Sequence, residues 1–270
     1  MNQQENGTAL VTGASSGIGL ATAQSLAKIG YRVFGTSRKT VISPPGVTML
    51  LCDVKSDESV KNMIAEIINQ TGRIDLVVNN AGVGLLGGVE ESSIAQAEQL
   101  FNVNVFGVAR IVNAVLPIMR DQKKGRIINM SSILGLIPSP FNAYYASTKH
   151  AIEGYTESLD HEVRQFGIRA VLVQPGVTRT AFEENLTRAD QPISVYTEDR
   201  SRSEALMRKW VEAGDTPQVV ADTVLKAATA LKPRLRYSAG KQSSQVRALR
   251  RFLPGSVFDR IMRKFNEFPS

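Results

Sequence analysis

Short apolar runs of strand length alternate with longer stretches of helix length along most of this 270-residue chain, and that alternation constrains the fold most. The runs are TALVTG (8–13), YRVFGTSR (31–38), VTMLLCDV (47–54), IDLVVNN (74–80), GRIINMSS (125–132) and IRAVLVQP (168–175). Each is apolar almost throughout rather than at every second residue, the pattern of central strands covered on both faces. Residues 18–29, 56–71, 94–121 and 143–166 lie between them and are long enough for crossover helices. Strand, helix, strand in regular succession predicts a three-layer α/β fold, a parallel sheet with helices on both faces and right-handed crossovers. No internal repeat interrupts it.

The alternation lapses after Pro175. Residues 181–213 are polar and mixed, with a helix pattern near 203–213, and precede a further helix (217–230) and a last short strand (234–238). An insertion at the carboxyl edge of such a sheet covers the ligand crevice in this class of fold, so 181–213 reads as a substrate lid. A surface excursion without a ligand role is the alternative.

The net charge is +7, which raises polyanionic partners. Residues 232–270 hold ten Lys and Arg against Asp259 and Glu267, so the first 231 residues carry only −1. The aromatic platforms and basic groove of a nucleic-acid site are missing from that near-neutral body, and no nucleic-acid partner is expected. One cysteine, Cys52, cannot form an intramolecular disulfide, and with two histidines it argues against a structural zinc site. No secretory signal or spanning segment is read in the sequence, and a reducing, cytoplasmic setting is expected.

Directly after the first run comes Gly13-Ala14-Ser15-Ser16-Gly17-Ile18-Gly19, leading into a helix. Glycines at a strand-to-helix turn let the backbone approach a pyrophosphate, and free N–H groups at the helix start attract anions. The second run ends Ser37-Arg38-Lys39 with no acid. A carboxylate there would accept from the ribose 2′-hydroxyl of NAD, whereas a guanidinium can bind a 2′-phosphate, so NADP(H) is preferred, NAD(H) stays open, and Arg38 is the main contact.

Tyr145 and Lys149 stand four residues apart on a helical stretch and so share a face. A nearby ammonium stabilises a phenolate, which suits a tyrosine used as acid or base. The glycine turn, Asn79-Asn80-Ala81-Gly82, Asn104 in NVNVFG, Ser132 after its strand, Tyr145/Lys149, and Pro175-Gly176 followed by Thr180 occur in one order. That ordered set resembles the short-chain dehydrogenase/reductase family over residues 6–231.

The resemblance implies a Rossmann-type sheet of about seven strands and a catalytic tetrad of Asn104, Ser132, Tyr145 and Lys149. In it Tyr145 exchanges the proton of the carbonyl oxygen, Ser132 hydrogen-bonds that oxygen, Lys149 holds the nicotinamide ribose and lowers the Tyr145 pKa, and Asn104 anchors a water. It further implies cofactor contacts from Asp53 to the adenine, with Val54 behind it. Asn80, Ala81 and Gly82 would contact the adenine ribose through their backbone, and Gly176, Val177 and Thr178, after Pro175, the carboxamide. Thr180 would serve the pyrophosphate side, and Asn79 would brace the sheet. A dimer or tetramer built on 94–121 and 143–166 is the family expectation.

Within that family the stretches 101–113, 138–143 and 174–182 look most like the branch of 17β-hydroxysteroid and retinol dehydrogenases, which implies a hydrophobic alcohol or carbonyl substrate. Leu134, Phe141 and Phe182 are the pocket candidates, with Tyr196 and Trp210 from the lid. A redox-sensing regulator that binds NADPH without turnover is the alternative, but it has little reason to keep Ser132, Tyr145 and Lys149 together. The domain is thus placed at 1–240 and a basic, amphipathic extension at 241–270. Pro254-Gly255 splits the extension into two helices whose apolar stripe fits either docking on the domain or, over residues 243–270, peripheral contact with an anionic membrane.

Overall fold

The computed structural model describes residues 6–182 and 185–267. Its sheet contains strands β1 (Thr8–Val11), β2 (Arg32–Ser37), β3 (Val47–Leu51), β4 (Leu76–Asn79), β6 (Gly125–Met130), β7 (Ile168–Pro175) and β9 (Arg236–Ala239). All seven are parallel, in the order β3-β2-β1-β4-β6-β7-β9. The order reverses between β1 and β4, the switch point outside whose carboxyl ends such sheets bind ligands. Two short strands missing from the sequence reading, β5 (Leu85–Leu86) and β8 (Thr187–Arg188), pair with each other and fasten the 181–213 segment to the loop after β4.

The continuous apolar runs are explained by two cores, one on each sheet face. Helices α1 (Gly17–Lys28) and α7 (Pro217–Thr229) cover one face, where Ala23, Leu26, Val220 and Val224 meet Val11, Val78 and Val173. Helices α2 (Asp57–Thr71), α4 (Gly107–Asp121) and α5 (Ala143–Val163) cover the other, where Ile64, Ile111, Val115 and Ile152 meet Leu10, Val77, Ile127 and Leu172.

The helix expected over 94–121 is in fact two, α3 (Ile94–Phe101) and α4, joined by a widened π turn at Asn102–Phe106. Ile94–Asp121 is long and apolar enough to cross a membrane by length and mean hydropathy, which the sequence reading had not registered. Its apolar face, including Leu100, Val108, Ile111, Val112 and Met119, is buried in the domain.

The helix of the 181–213 segment, α6 (Thr197–Glu212), starts six residues earlier than the sequence pattern suggested. The extension forms α8 (Lys241–Phe252) and α9 (Gly255–Phe265), separated at Pro254 as expected. Val246, Phe258 and Met262 are buried against Ile133 and Ile137, so the extension docks on the domain.

Candidate active site

The glycine turn fits a phosphate-bearing nucleotide. Gly13 donates its N–H to Thr36 Oγ1 (3.3 Å) and Ala14 to the Thr36 carbonyl (2.9 Å), which fixes the turn against the end of β2. Gly17 has φ +54°, open to a residue without a Cβ. A Cβ on Gly19 would collide with the Gly13 carbonyl oxygen, so glycine there lets α1 begin close under the turn. No side chain caps the first turn of α1, and Ser15 and Ser16 are exposed, which leaves the helix N-terminus facing outward for an anion. Ile18 is half-buried against the α1/α7 core, and Thr180 stands against Gly17 on the side expected for a pyrophosphate contact.

Around the turn, the structure places the other expected cofactor residues unevenly. Ser37 is half-buried and its hydroxyl accepts from the Lys39 N–H (3.2 Å), while Arg38 is exposed just beyond β2. Asp53 is half-buried, with one carboxylate oxygen accepting from the Lys55 N–H (3.0 Å). Val54 is buried in the core against Gly107, so its side chain is a packing group and only its backbone is left for a ligand. Asn80 does more than expected, since its amide donates to the carbonyls of Thr12 (3.0 Å) and Gly13 (3.1 Å) and ties down the turn. Thr12, which opens the glycine motif and was given no role of its own in the sequence, accepts the Asn80 and Ala81 N–H groups at its hydroxyl (3.0 Å each). Gly82 is exposed beyond them. Asn79 braces the sheet by donating to Asn129 Oδ1 (2.8 Å).

The four tetrad candidates converge beside this turn. Asn104 sits buried in the π turn, where its amide accepts from the Val83 N–H (2.9 Å) and donates to the Val83 carbonyl (2.9 Å) and to Thr148 Oγ1 (3.2 Å). Thr148 in turn donates to the Tyr145 carbonyl (2.7 Å), so a residue overlooked in the sequence links Asn104 to α5. Ser132 begins a short turn after β6, and its hydroxyl accepts from the Leu134 N–H (3.1 Å). Lys149 is buried, its ammonium donates to the Met130 carbonyl (3.0 Å) and lies 5.6 Å from the Tyr145 ring centre.

Burial pushes the Tyr145 phenol well above its usual range, and a hydrogen bond with the Ser132 side chain acts against that. Burial also draws Lys149 down to about 8, while the Glu153 carboxylate four residues on works to keep it charged. Glu153 is itself buried, accepting from Gln174 Nε2 (2.9 Å) and Arg236 Nε (2.9 Å). A lysine and a glutamate four apart look like an ordinary helix pair in sequence, and only burial gives this one weight.

Pro175 ends β7 buried, and the half-buried Gly176, Val177 and Thr178 follow it toward the site. That loop is held from two sides: Asp215 donates its N–H to the Val177 carbonyl (3.0 Å), and Gln242 Oε1 of α8 accepts the Val177 N–H (3.1 Å). On the substrate side, the Phe182 ring lies 5.7 Å from the Tyr145 ring, and the half-buried Leu134 packs with Ile133 and Ile137. Phe141, at φ +58°, sets its ring edge-on to Tyr196 of the lid (6.4 Å). Trp210 turns instead to Phe265 of α9 and stacks on it at 4.5 Å.

The description "short chain dehydrogenase" fits residues 7–191 of this sequence as a family match. The chain belongs to the short-chain dehydrogenase family. It is 38% identical to a 3-ketodihydrosphingosine reductase of Bacteroides thetaiotaomicron over 86% of this chain and 87% of that one. It is 36% identical to retinol dehydrogenase 8 of Bos taurus over 94% and 88% respectively. A short-chain dehydrogenase structure from Streptomyces avermitilis superposes with a TM-score of 0.82 at 30% identity, covering 98% of this chain and 96% of its own.

Structures of such dehydrogenases hold either cofactor. One from Burkholderia phymatum is in complex with NAD (25% identity, TM-score 0.78, 92% and 94% covered), and a metagenomic one is in complex with NADP (26%, 0.68, 87% and 97%). This short-chain dehydrogenase is thus an oxidoreductase of alcohols and carbonyls that uses a nicotinamide nucleotide.

Proposed function

We propose that the chain is an NADP(H)-preferring enzyme that interconverts a lipophilic carbonyl with its alcohol, with Tyr145 as the proton donor and acceptor. The convergence of Ser132, Tyr145 and Lys149 beside the glycine turn carries this reading. When bound, the nicotinamide supplies or takes up the hydride. Tyr145, held protonated by burial, gives its proton to the carbonyl oxygen in reduction, and Ser132 donates a second hydrogen bond to the same oxygen. Lys149 holds the nucleotide ribose, and Asn104 keeps the Val83 backbone and Thr148 in register behind it.

The preference for NADP(H) rests on Arg38 at the end of β2 with no acid beside it. The lipophilic substrate is supported by Phe182 and Leu134 near Tyr145, and by resemblance to proteins named for a ketosphingoid and for retinol. A homo-oligomer built on 94–121 (α3 and α4) and 143–166 belongs to the same reading, as does a cytoplasmic setting, in keeping with the buried, unpaired Cys52.

NADPH consumption against a panel of long-chain and cyclic ketones tests the assignment. Tyr145→Phe is expected to lower turnover by about 100- to 10,000-fold. Equal activity of the two proteins would remove Tyr145 from the chemistry. Arg38→Asp is expected to raise KM for NADPH at least about tenfold while leaving that for NADH nearly unchanged; equal effects on both would remove the cofactor preference.

A further inference from the structure

The basic extension has a built feature that the oxidoreductase reading does not use. Ser244, Arg247 and Arg251 recur at three- and four-residue spacing, so they share one face of α8. That face lines a groove of about 440 Å³ closed on its other side by Arg234 and Ser238 from the β9 edge, with Phe252 at the rim. Three arginines therefore line one groove, the Arg234 guanidinium lying 5.1 Å from the Tyr237 ring and that of Arg251 5.8 Å from the Phe252 ring. Among the described residues no carboxylate pairs with Arg234, Arg247 or Arg251. The nearby acids, Glu153 and Glu157, are both engaged by Arg236 (2.9 Å each).

Arg247 is half-buried, and its affinity for a proton is lowered first by burial and then by the charges of Arg236, Arg234 and Arg251, with the Glu153 carboxylate acting the other way. An anion in the groove would relieve that repulsion, and several guanidinium donors around a compact anion suit phosphate oxygens best. The surface beside the groove says where the phosphate comes from. Phe252, which lines the groove, is 77% exposed, and Leu249 is exposed on the same helix beside Arg250 and Arg251. Exposed apolar side chains at a basic groove fit a phosphate that is carried on hydrocarbon.

We propose that the groove between β9 and α8 binds the phosphate of an anionic lipid headgroup, with Arg234, Arg247 and Arg251 on the phosphate and Phe252 in the acyl boundary. Docking of the extension and contact with a membrane are then compatible, because Val246, Phe258 and Met262 face the domain while Leu249 and Phe252 face outward.

The test uses the full chain with phosphatidylcholine vesicles containing 20% phosphatidic acid, and separately with inorganic phosphate followed by calorimetry. The wild type is expected to co-sediment with the vesicles, and Arg247→Ala/Arg251→Ala to bind them about 20-fold more weakly, with NADPH turnover retained as proof of folding. Arg260→Ala/Lys264→Ala, which removes two exposed charges outside the groove, is expected to weaken binding at least about fivefold less than the groove pair does. A loss in that control equal to the loss in Arg247→Ala/Arg251→Ala would overturn the groove in favour of diffuse attraction. Saturable binding of inorganic phosphate without vesicle binding would keep the phosphate site and assign it to a soluble ligand. Binding of neither probe would overturn the proposal outright.

Discussion

Lys149 carries the sharpest pH dependence among the residues of the site. Its ordinary value near 10.4 falls to about 8 on burial. Below about pH 8 the ammonium is present, so kcat/KM for carbonyl reduction is expected to decline as pH rises through about 8. Glu153 supports the charge, and Glu153→Gln should move that limb to lower pH; a pH–rate profile that does not shift would show Glu153 to be merely structural. Between about pH 8 and 10.4 the unfolded chain holds more of this proton than the folded one, so the contribution of Lys149 to stability rises across that window. Ser132→Ala removes the hydroxyl that the proposed reaction uses on the carbonyl oxygen, and single-turnover rates should fall roughly 100- to 1,000-fold. The sequence order picked out Ser132, Tyr145 and Lys149 as candidates, and the structure brings them together. It could not rank Glu153, Thr148 or Thr12, because their importance comes from burial and from partners remote in the chain.

At the scale of elements, two buried carboxylates hold separate parts together. Asp160 on α5 is fully buried and accepts from Arg164 Nε (2.9 Å), Arg169 Nε (2.8 Å) and the Ala170 N–H (3.0 Å), which locks α5 to β7. Asp160→Ala leaves these donors without their acceptor and should cost about 3–5 kcal/mol in urea unfolding. Asp57→Ala, which breaks the exposed pair with Arg110, should cost under about 1 kcal/mol. Burial pushes Asp160 up, but hydrogen bonds from Arg169, Arg164 and the Ala170 backbone outweigh it and hold the carboxyl low. Its stabilisation is therefore complete above the ordinary carboxylate range and lost as pH falls below it.

Glu91 does the same for the lid. It accepts from the N–H groups of Gly88 (3.0 Å) and Ile193 (2.9 Å) and pairs with Arg200 of α6. Glu91→Ala should loosen α6 and raise KM for the carbonyl substrate about tenfold while leaving KM for the nucleotide unchanged. Equal changes in both constants would show that the lid does not bear on the substrate side.

For the whole molecule, the extension and the active site are one packed unit. Ile133 and Ile137 follow Ser132 and lie under Phe258 and Met262, while Gln242 holds the Val177 N–H. Truncation after Gly240 should thus lower the melting temperature and raise KM for the nucleotide, and a truncated chain with unchanged constants would show that the domain holds these loops alone. Sequence by itself determined a parallel sheet with helices on both faces, because central strands buried on both faces must be apolar throughout and crossover helices must fill the gaps between them, while its count of about seven strands came from the family resemblance. It also determined the glycine turn and the Tyr145/Lys149 pair, since a phosphate cradle and a helix face are local in the chain. Tertiary structure alone decided the break at Asn104, the ties at Glu91 and the convergence of Arg234 with Arg247 and Arg251. Each joins residues whose meeting depends on how layers pack, and no local pattern of apolar or charged residues encodes that.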